Sequence, residues 1–285
     1  MVLDVDLISA NYNNSEYLED FFDSLLSSSD MPARIIFVDD GSTDDSLLVA
    51  KKYECQLPGL QLICLPKNVG FANALNEGLR ASSAKYIMRL DPDDLIHPDR
   101  IRKQYEFLER NPGVAVVGTQ AEYFHSATKQ YLGSTNMPVG QELISAAYLR
   151  CDNGVLHGTT MFRRSCIEDI VYRQKDVPSE DYSFFGRIMA RGYNFHNIDQ
   201  ELIKVRVHSK SVSNDIRFST IEKVHILRQE IFGIPKRNLF LLADFISMRF
   251  YRKYLYERSL LLRLLYVSIA ALFAPQKAVS RVFGK

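Results

Sequence analysis

The sequence predicts an α/β fold, a mostly parallel sheet flanked by helices, extended at its C-terminus by a helical appendage. Two observations carry this. From residue 3 to about 120, short apolar runs alternate with segments whose apolar residues recur at helical spacing, the rhythm of parallel strands joined by right-handed crossovers. Charge then divides the chain: residues 216–285 hold 13 Lys/Arg against 4 Asp/Glu, a net +9, while the first 215 hold 22 against 30, a net −8. This marks an acidic body at 1–215 and a basic tail at 216–285 that would meet an anionic surface. With 285 residues, 46% hydrophobic and 24% charged, the chain can bury a large core.

Residues 5–10 read as the first strand and 17–26 as a helix opened by Asn14 or Ser15. Ile35-Ile36-Phe37-Val38 is wholly apolar, as a central parallel strand buried on both faces should be. Ser42-Thr43-Asp44-Asp45 has a capping-box pattern and starts the next helix, with Ser42 and Asp45 as its caps. Residues 60–65 form a third strand, 70–81 a helix, 86–90 a fourth strand, 98–110 a helix with Pro98 in its first turn, and 114–118 a fifth strand. Residues 155–162 look like a strand carrying His157, and Ser179-Glu180-Asp181-Tyr182 opens an amphipathic helix. Cys55, Cys64, Cys151 and Cys166 lack metal-ligand or C-x-x-C spacing and are expected as buried free thiols in a reducing cytoplasm, Cys64 because its neighbours are apolar.

Polar clusters sit where the strands end, the side on which parallel sheets bind ligands. They are Asn11-Tyr12-Asn13, Asp39-Asp40-Gly41-Ser42, Lys67-Asn68-Val69-Gly70 and Asp91-Pro92-Asp93-Asp94. With capping assigned to Ser42 and Asp45, at least one of Asp39 and Asp40 is left to accept from a ligand. Gly41 and Gly70 permit close backbone approach or positive φ. Asp91 and Asp93 stand two apart and can face one target together. Like charges that close repel unless a cation lies between them, and a hard divalent ion that keeps positions open for phosphate oxygens suits the geometry. For the tetrapeptide alone, a capped Asp-Pro-Asp-Asp turn is the alternative. Neither G-x-G-x-x-G nor G-x-x-x-x-G-K-[ST] occurs, so dinucleotide-binding and P-loop readings lose their main support.

Four motifs, in order and in spacing, resemble those of the family 2 glycosyltransferases across residues 3–215: Ser9-Ala10-Asn11-Tyr12-Asn13, Val38-Asp39-Asp40-Gly41-Ser42-Thr43-Asp44, Asn68-Val69-Gly70-Phe71-Ala72-Asn73-Ala74-Leu75-Asn76-Glu77-Gly78 and Leu90-Asp91-Pro92-Asp93-Asp94. The resemblance implies a GT-A fold, Rossmann-like, and an inverting, metal-dependent enzyme using a nucleotide-sugar, with UDP the expected nucleotide. It implies that Asn11 and Tyr12 line the base pocket, Tyr12 stacking on a pyrimidine, that Asp40 accepts from the base, and that Asp39 supports the nucleoside. Asn68 and Gly70 would close over the nucleotide. Asp93 would ligate Mn²⁺ or Mg²⁺ directly, Asp91 would reach the ribose or the metal, and Asp94 would support them or cap. Ser9-Ala10 replaces the Pro that many members carry before Tyr-Asn.

In the second half, His157 opens a stretch similar to the family's H-x-T-x-M-F-R-R; it either lines the donor-sugar site or is structural. The family's E-D pair falls on Glu180-Asp181, which makes Asp181 the general base and Glu180 the group that positions the acceptor; favourable first-turn acids are the plainer reading. Residues 205–213 resemble the segment that ends the catalytic domain. His208 is there a metal or phosphate contact, while Arg206 and Lys210 either donate to a diphosphate or are plain structure.

In the tail, residues 221–232 are helical in pattern, Gly233-Ile234-Pro235 breaks them, and 238–256 interleave Phe240, Phe245, Phe250, Tyr251 and Tyr254 with Arg249, Arg252 and Lys253. Residues 260–273 follow, mostly apolar and interrupted by Arg263. This pattern predicts a peripheral membrane contact through 236–285, with packing on the body or a homo-oligomer contact as competing uses. No run approaches the roughly 20 apolar residues needed to cross a bilayer. Met1 is followed by Asp4 and Asp6 rather than by a signal-peptide pattern. The expected location is therefore cytoplasmic, peripheral at the inner face of the cell membrane. No nucleic-acid recognition fold accompanies the basic tail.

The expected reaction moves a sugar from a nucleotide-sugar donor to a hydroxyl of a glycan or lipid-linked acceptor, in cell-surface polysaccharide synthesis. A nucleotidyltransferase is the rival enzyme, but it would carry a Gly-rich, basic triphosphate loop that residues 9–14 lack. A non-catalytic subunit of the same fold is disfavoured because Asp91, Asp93 and Asp181 are all present.

Overall fold

Four strands separated by three helices open the chain: β1 (Val2–Asn11), α1 (Ser15–Leu26), β2 (Met31–Asp39), α2 (Ser46–Tyr53), β3 (Leu60–Cys64), α3 (Phe71–Ala81) and β4 (Tyr86–Arg89). A short strand β5 (Leu95–Ile96) and α4 (Arg100–Arg110) lead to the long β6 (Val114–His125), its hairpin partner β7 (Tyr131–Ser134) and α5 (Gln141–Leu149). The body closes with β8 (Met161–Arg163), α6 (Glu180–Ala190) and β9 (Asn194–Val207), and the tail adds α7 (Phe218–Phe232), α8 (Asn238–Tyr256) and α9 (Leu260–Phe273). The computed structural model describes residues 1–208, 217–236, 238–257, 259–275 and 277. Residues 209–213 of the segment singled out in the sequence, Lys210 among them, lie outside the described residues.

The sheet runs β3-β2-β1-β4-β8-β6-β9-β5, with β7 on β6. β3, β2, β1 and β4 pair in parallel as expected. The second half is mixed: β8 lies antiparallel between β4 and β6, whereas β6 and β9 pair in parallel. Successive residues of a strand face opposite sides. Ile8, Ile36, Ile87 and Val116 therefore join one core layer, with Leu75, Phe162 and Phe185. Leu7, Phe37, Met88 and Val117 join the other, with Phe21, Phe22 and Ile101. Each large apolar side chain fully buried this way is worth about 1.5–3 kcal/mol.

Three local expectations are corrected. The stretch 155–162 is not a continuous strand: His157–Thr159 form a 3₁₀ turn, and pairing begins only at Met161. The Thr159 and Thr160 hydroxyls donate back to Leu156 O (2.8 Å) and His157 O (2.9 Å), local bonds that compete with a strand ladder. Cys64 is exposed, because β3 is the edge strand and covers little on its outer side; Cys55 is exposed too, and only Cys151 and Cys166 are buried. Asp45 holds the N-cap position of α2 but makes no side-chain cap hydrogen bond, and Ser42 instead closes the turn with Asp39. The capping bond comes from Asp44, which accepts from Ser46 N (3.0 Å) and from Ser15 N (2.9 Å), so that one carboxylate serves the first turns of both α2 and α1.

The tail is built outward from α6. Arg187 Nη2 of α6 donates to Glu230 Oε1 of α7 (2.9 Å), and Ile231 and Phe232 close over Gly186. His225 of α7 meets Asp244 of α8 at 2.8 Å. The α8 and α9 helices pack through Phe250 and Tyr266, with ring centroids 6.0 Å apart, and through Arg263 over the Tyr254 ring. Gly233 ends α7 in the left-handed conformation, φ 70°, where a side chain would be strained. Among the described residues no helix is long and apolar enough to cross a membrane.

Candidate active site

The ends of β1 and β2 form one polar floor. Asn11 Nδ2 donates to Asp39 Oδ1 (2.9 Å) and to Ser42 Oγ (3.2 Å). Asp39 also accepts from Ser42 N (2.9 Å) and Ser42 Oγ (2.6 Å), so its carboxylate closes the Asp39–Ser42 turn. The turn needs Gly41: its φ is 67°, and a Cβ there would stand 2.7 Å from Asn68 N. Asp40 reaches the loop after β3, accepting from Val69 N (2.7 Å) and Gly70 N (3.0 Å). The motifs at the ends of β2 and β3 are thus fastened to each other through a carboxylate. Asn68 and the Tyr12 ring are left exposed at the rim.

Beyond β4 the chain turns at Pro92 and presents three carboxylates. Asp93 Oδ2 lies 2.9 Å from His208 Nε2 at the end of β9, across 115 residues of sequence. The same strand end is pinned by Arg206, whose backbone N donates to Asp94 Oδ1 (2.9 Å) and whose Nε donates to Asp93 O (2.7 Å). Arg206 also holds Asp20 (2.8 Å) and lies under the Tyr17 and Phe124 rings, so this buried guanidinium is a structural clamp on the loop. Asp94 is buried behind the other two, and desolvation with the charges of Asp93 and Asp91 lifts it well above the usual carboxylate range.

Asp91 is held from beneath by Arg89, which is fully buried within the β4 run. Arg89 Nη2 donates to Asp91 Oδ1 (2.6 Å), Nη1 donates to the carbonyls of Ile8 and Leu90, and Nε donates to His157 Nε2 (3.3 Å). With Arg89 donating, Nε2 of His157 is an acceptor, and the Tyr172 hydroxyl donates to it as well (2.8 Å). Burial and the Arg89 charge push this histidine well below its ordinary value, so its ring is neutral. His157 therefore sits under Asp91 as part of its support. Gly158 follows for want of room: a Cβ there would be 2.9 Å from Asp91 Oδ2.

Facing this floor, α6 begins with Glu180 and Asp181. Asp181 Oδ2 accepts from Asn153 Nδ2 (2.7 Å) and Oδ1 accepts from Tyr182 N (2.6 Å). Glu180 is buried, its Oε2 has no partner among the described residues, and burial with the Asp181 charge lifts it to about 8. Burial raises Asp181 as well. Asp91 contributes to both shifts, so the α6 acids and the β4 acids share one electrostatic environment. The result is an acidic bowl against which three fixed cations, Arg89, Arg100 and Arg206, lie buried. Among the described residues no group of three His, Cys, Asp or Glu encloses an ion by itself. Asp93 and His208 bring one oxygen and one nitrogen to a single point, a donor pair that a divalent ion can take.

The structure brings together Asn11 with Asp39, Asp40 with Gly70, Asp93 with His208, and Asp91 with His157 through Arg89. Sequence reasoning passed over Arg89, Tyr172, Asn153 and Gly158. A lone arginine inside Tyr86-Ile87-Met88-Arg89-Leu90 was a legible signal, since a charge in a buried strand requires a partner. Tyr172 and Asn153 carry none, because their neighbours are set by tertiary packing.

Residues 6–171 match the family model described as Glycosyl transferase family 2. The amylovoran biosynthesis glycosyltransferase AmsE of Erwinia amylovora is 31% identical over 204 residues, covering 71% of this chain and 75% of that protein. Of solved structures, S. aureus TarS in complex with UDP-GlcNAc superposes with a TM-score of 0.64 at 16% identity, covering 98% of this chain and 83% of that one. The mannosyltransferase PcManGT from Pyrobaculum calidifontis in complex with GDP-Man and Mn²⁺ superposes with a TM-score of 0.57 at 16% identity, covering 97% and 80%. At these identities the superpositions establish the fold.

Proposed function

Since the chain belongs to glycosyl transferase family 2 and has the GT-A fold, we propose that it is an inverting glycosyltransferase of cell-surface polysaccharide synthesis, moving a sugar from a UDP-sugar to a hydroxyl of a glycan or lipid-linked acceptor. Relatives and neighbours named for amylovoran biosynthesis and for a UDP-GlcNAc complex support the polymer and the nucleotide. The observation that carries the chemistry is the packing of α6, whose first turn holds Glu180 and Asp181, on the support of Asp91: Phe185 of α6 meets the His157 ring, and Arg89 joins His157 to Asp91.

Tyr12 offers its exposed ring to the base, Asn11 and Asp39 shape the nucleoside floor, and Asp40 fixes the loop of Asn68 and Gly70 that closes over the nucleotide while its remaining lone pairs accept from the base. Asp93 and His208 would hold Mn²⁺ or Mg²⁺, whose charge offsets the charge developing on the leaving diphosphate. Asp91, oriented by Arg89 and His157, faces the ribose and the metal side. Asp181, fixed by Asn153 and Tyr182 N, takes the proton of the acceptor hydroxyl as that oxygen attacks the anomeric carbon from the face opposite the diphosphate. Glu180, protonated below about 8, donates to the acceptor and holds it for attack. The setting is the inner face of the cell membrane.

The test is turnover of UDP-hexoses and UDP-N-acetylhexosamines with glycan acceptors, following UDP release and the anomeric proton of the product by NMR. Transfer with inverted configuration is expected; retention of configuration would exclude the single displacement, and release of pyrophosphate from a nucleoside triphosphate would favour the nucleotidyltransferase.

A further inference from the structure

Among the described residues, nothing covers the outer face of α9. Leu260, Leu261, Leu264, Leu265 and Leu272 are 70%, 79%, 55%, 50% and 78% exposed, and their spacing puts them on one side of the helix. The opposite side carries Ala270, which is buried, and Tyr266, which meets Phe250 of α8. Only Ser268 interrupts the leucine stripe, and no charge does. Scattered exposed leucines are ordinary on a protein surface, but five on one side of a single helix mark a docking face.

We infer that this stripe docks on the surface of an anionic lipid bilayer, lying in the plane of the headgroups. Charge selects this occupant: the tail carries a net +9, with Arg249 and Lys253 exposed on the neighbouring α8. Two copies joined through this face would bring two net-positive tails together, whereas an anionic leaflet attracts them. Length selects the orientation. A helix of 14 residues spans about 21 Å, short of the roughly 30 Å hydrocarbon core, so the leucines enter the interface without crossing. The docking would also orient the enzyme. The α9 helix is packed on α8, α8 is tied to α7 by His225–Asp244, and α7 is tied by Glu230–Arg187 to α6, the helix that carries Asp181.

The inference deepens the peripheral placement proposed above and does not depend on the transfer chemistry. It is tested by co-sedimentation of the full chain with phosphatidylglycerol and phosphatidylcholine vesicles at low and high salt. The doubly substituted Leu261→Glu, Leu264→Glu chain is compared with Leu261→Ile, Leu264→Ile, and thermal stabilisation by UDP is measured in parallel. Expected are binding to phosphatidylglycerol weakened by salt, a loss of at least about tenfold in the Glu variant, retention in the Ile variant, and unchanged UDP stabilisation in both. Indifference of the wild-type chain to anionic vesicles would overturn the inference, as would equal binding by the Glu variant. Light scattering that found a dimer abolished by the Glu pair, without vesicle binding, would assign the face to a second copy. UDP stabilisation persisting while vesicle binding fails would remove this inference alone; loss of the UDP response with intact vesicle binding would remove the functional reading alone.

Discussion

Asp181→Asn separates the reacting base from everything else in the bowl. The substitution keeps the side-chain shape and removes a carboxylate whose oxygens accept from Asn153 Nδ2 at 2.7 Å and Tyr182 N at 2.6 Å. An amide can keep one of these bonds and turns a second donor toward the other, a loss of about 1 kcal/mol. Burial and, more weakly, the Asp91 charge disfavour the ionised form of this half-buried carboxylate, so its replacement by a neutral amide works in the opposite direction. Stability should therefore move by no more than about 1–2 kcal/mol, a few degrees in Tm for a chain of this size. Catalysis should move far more: loss of a positioned general base costs about 10²- to 10⁴-fold, or about 3–5 kcal/mol of barrier. The assay is UDP release under saturating donor and acceptor, with donor affinity measured by calorimetry. A fall in kcat of that size with donor Kd within about twofold of the wild type is expected. Turnover within about threefold of the wild type, with donor binding intact, would refute the assignment of Asp181.

Three further substitutions probe the parts around it. The folded chain lifts Glu180 from 4.5 to about 8 and so holds that proton more tightly than the unfolded chain; the stability it contributes is present below about pH 4.5 and is lost as pH rises through about 8. Glu180→Gln should accordingly flatten the decline of metal-free Tm between pH 5 and 8.5, and parallel curves for the two chains would contradict the raised value. Asp40→Ala strips acceptors from Val69 N and Gly70 N, and should cost about 2–4 kcal/mol in urea unfolding and weaken nucleotide binding; a cost under about 0.5 kcal/mol would show that the loop does not rely on this carboxylate. Gly158→Ala puts a Cβ 2.9 Å from Asp91 Oδ2, and should lower turnover at least about tenfold with little change in Tm, measured by UDP release and a thermal melt.

The parts of the fold that follow from local pattern were legible in the sequence, and those that follow from long-range fit were not. The fully apolar Ile35-Ile36-Phe37-Val38 run becomes the buried centre of β2, and α8 and α9 span the two tail segments, 238–256 and 260–273, set apart by their basic, aromatic and aliphatic residues. The strand expected at 155–162 fails because two threonine hydroxyls bond locally, a choice that apolar composition does not reveal. Antiparallel insertion of β8 between β4 and β6 is likewise a tertiary outcome, since three residues carry too little pattern to declare a direction. In the site, spacing brings Asp91 and Asp93 to one turn, but the meeting of Asp93 with His208 spans 115 residues and rests on β9 running back beside β6. Asp39 and Asp40 look equivalent in sequence, yet one closes its own turn and the other fastens a distant loop. Arg206, equally suited in sequence to a diphosphate, is consumed by Asp20, Asp93 O and Asp94.

The central claim is that the bowl binds a nucleoside diphosphate together with a divalent ion held by Asp93 and His208. Thermal unfolding of the intact chain with UDP, with UDP and Mn²⁺, and with UDP and a chelator tests it most directly, with Asp93→Ala as the comparison. At about 100 times Kd a ligand adds about 2.7 kcal/mol, so UDP with Mn²⁺ should raise Tm by about 5–10 °C. The chelator and Asp93→Ala should each abolish most of that rise. No shift with UDP or any other nucleoside diphosphate, or an equal shift with and without metal, would contradict the account.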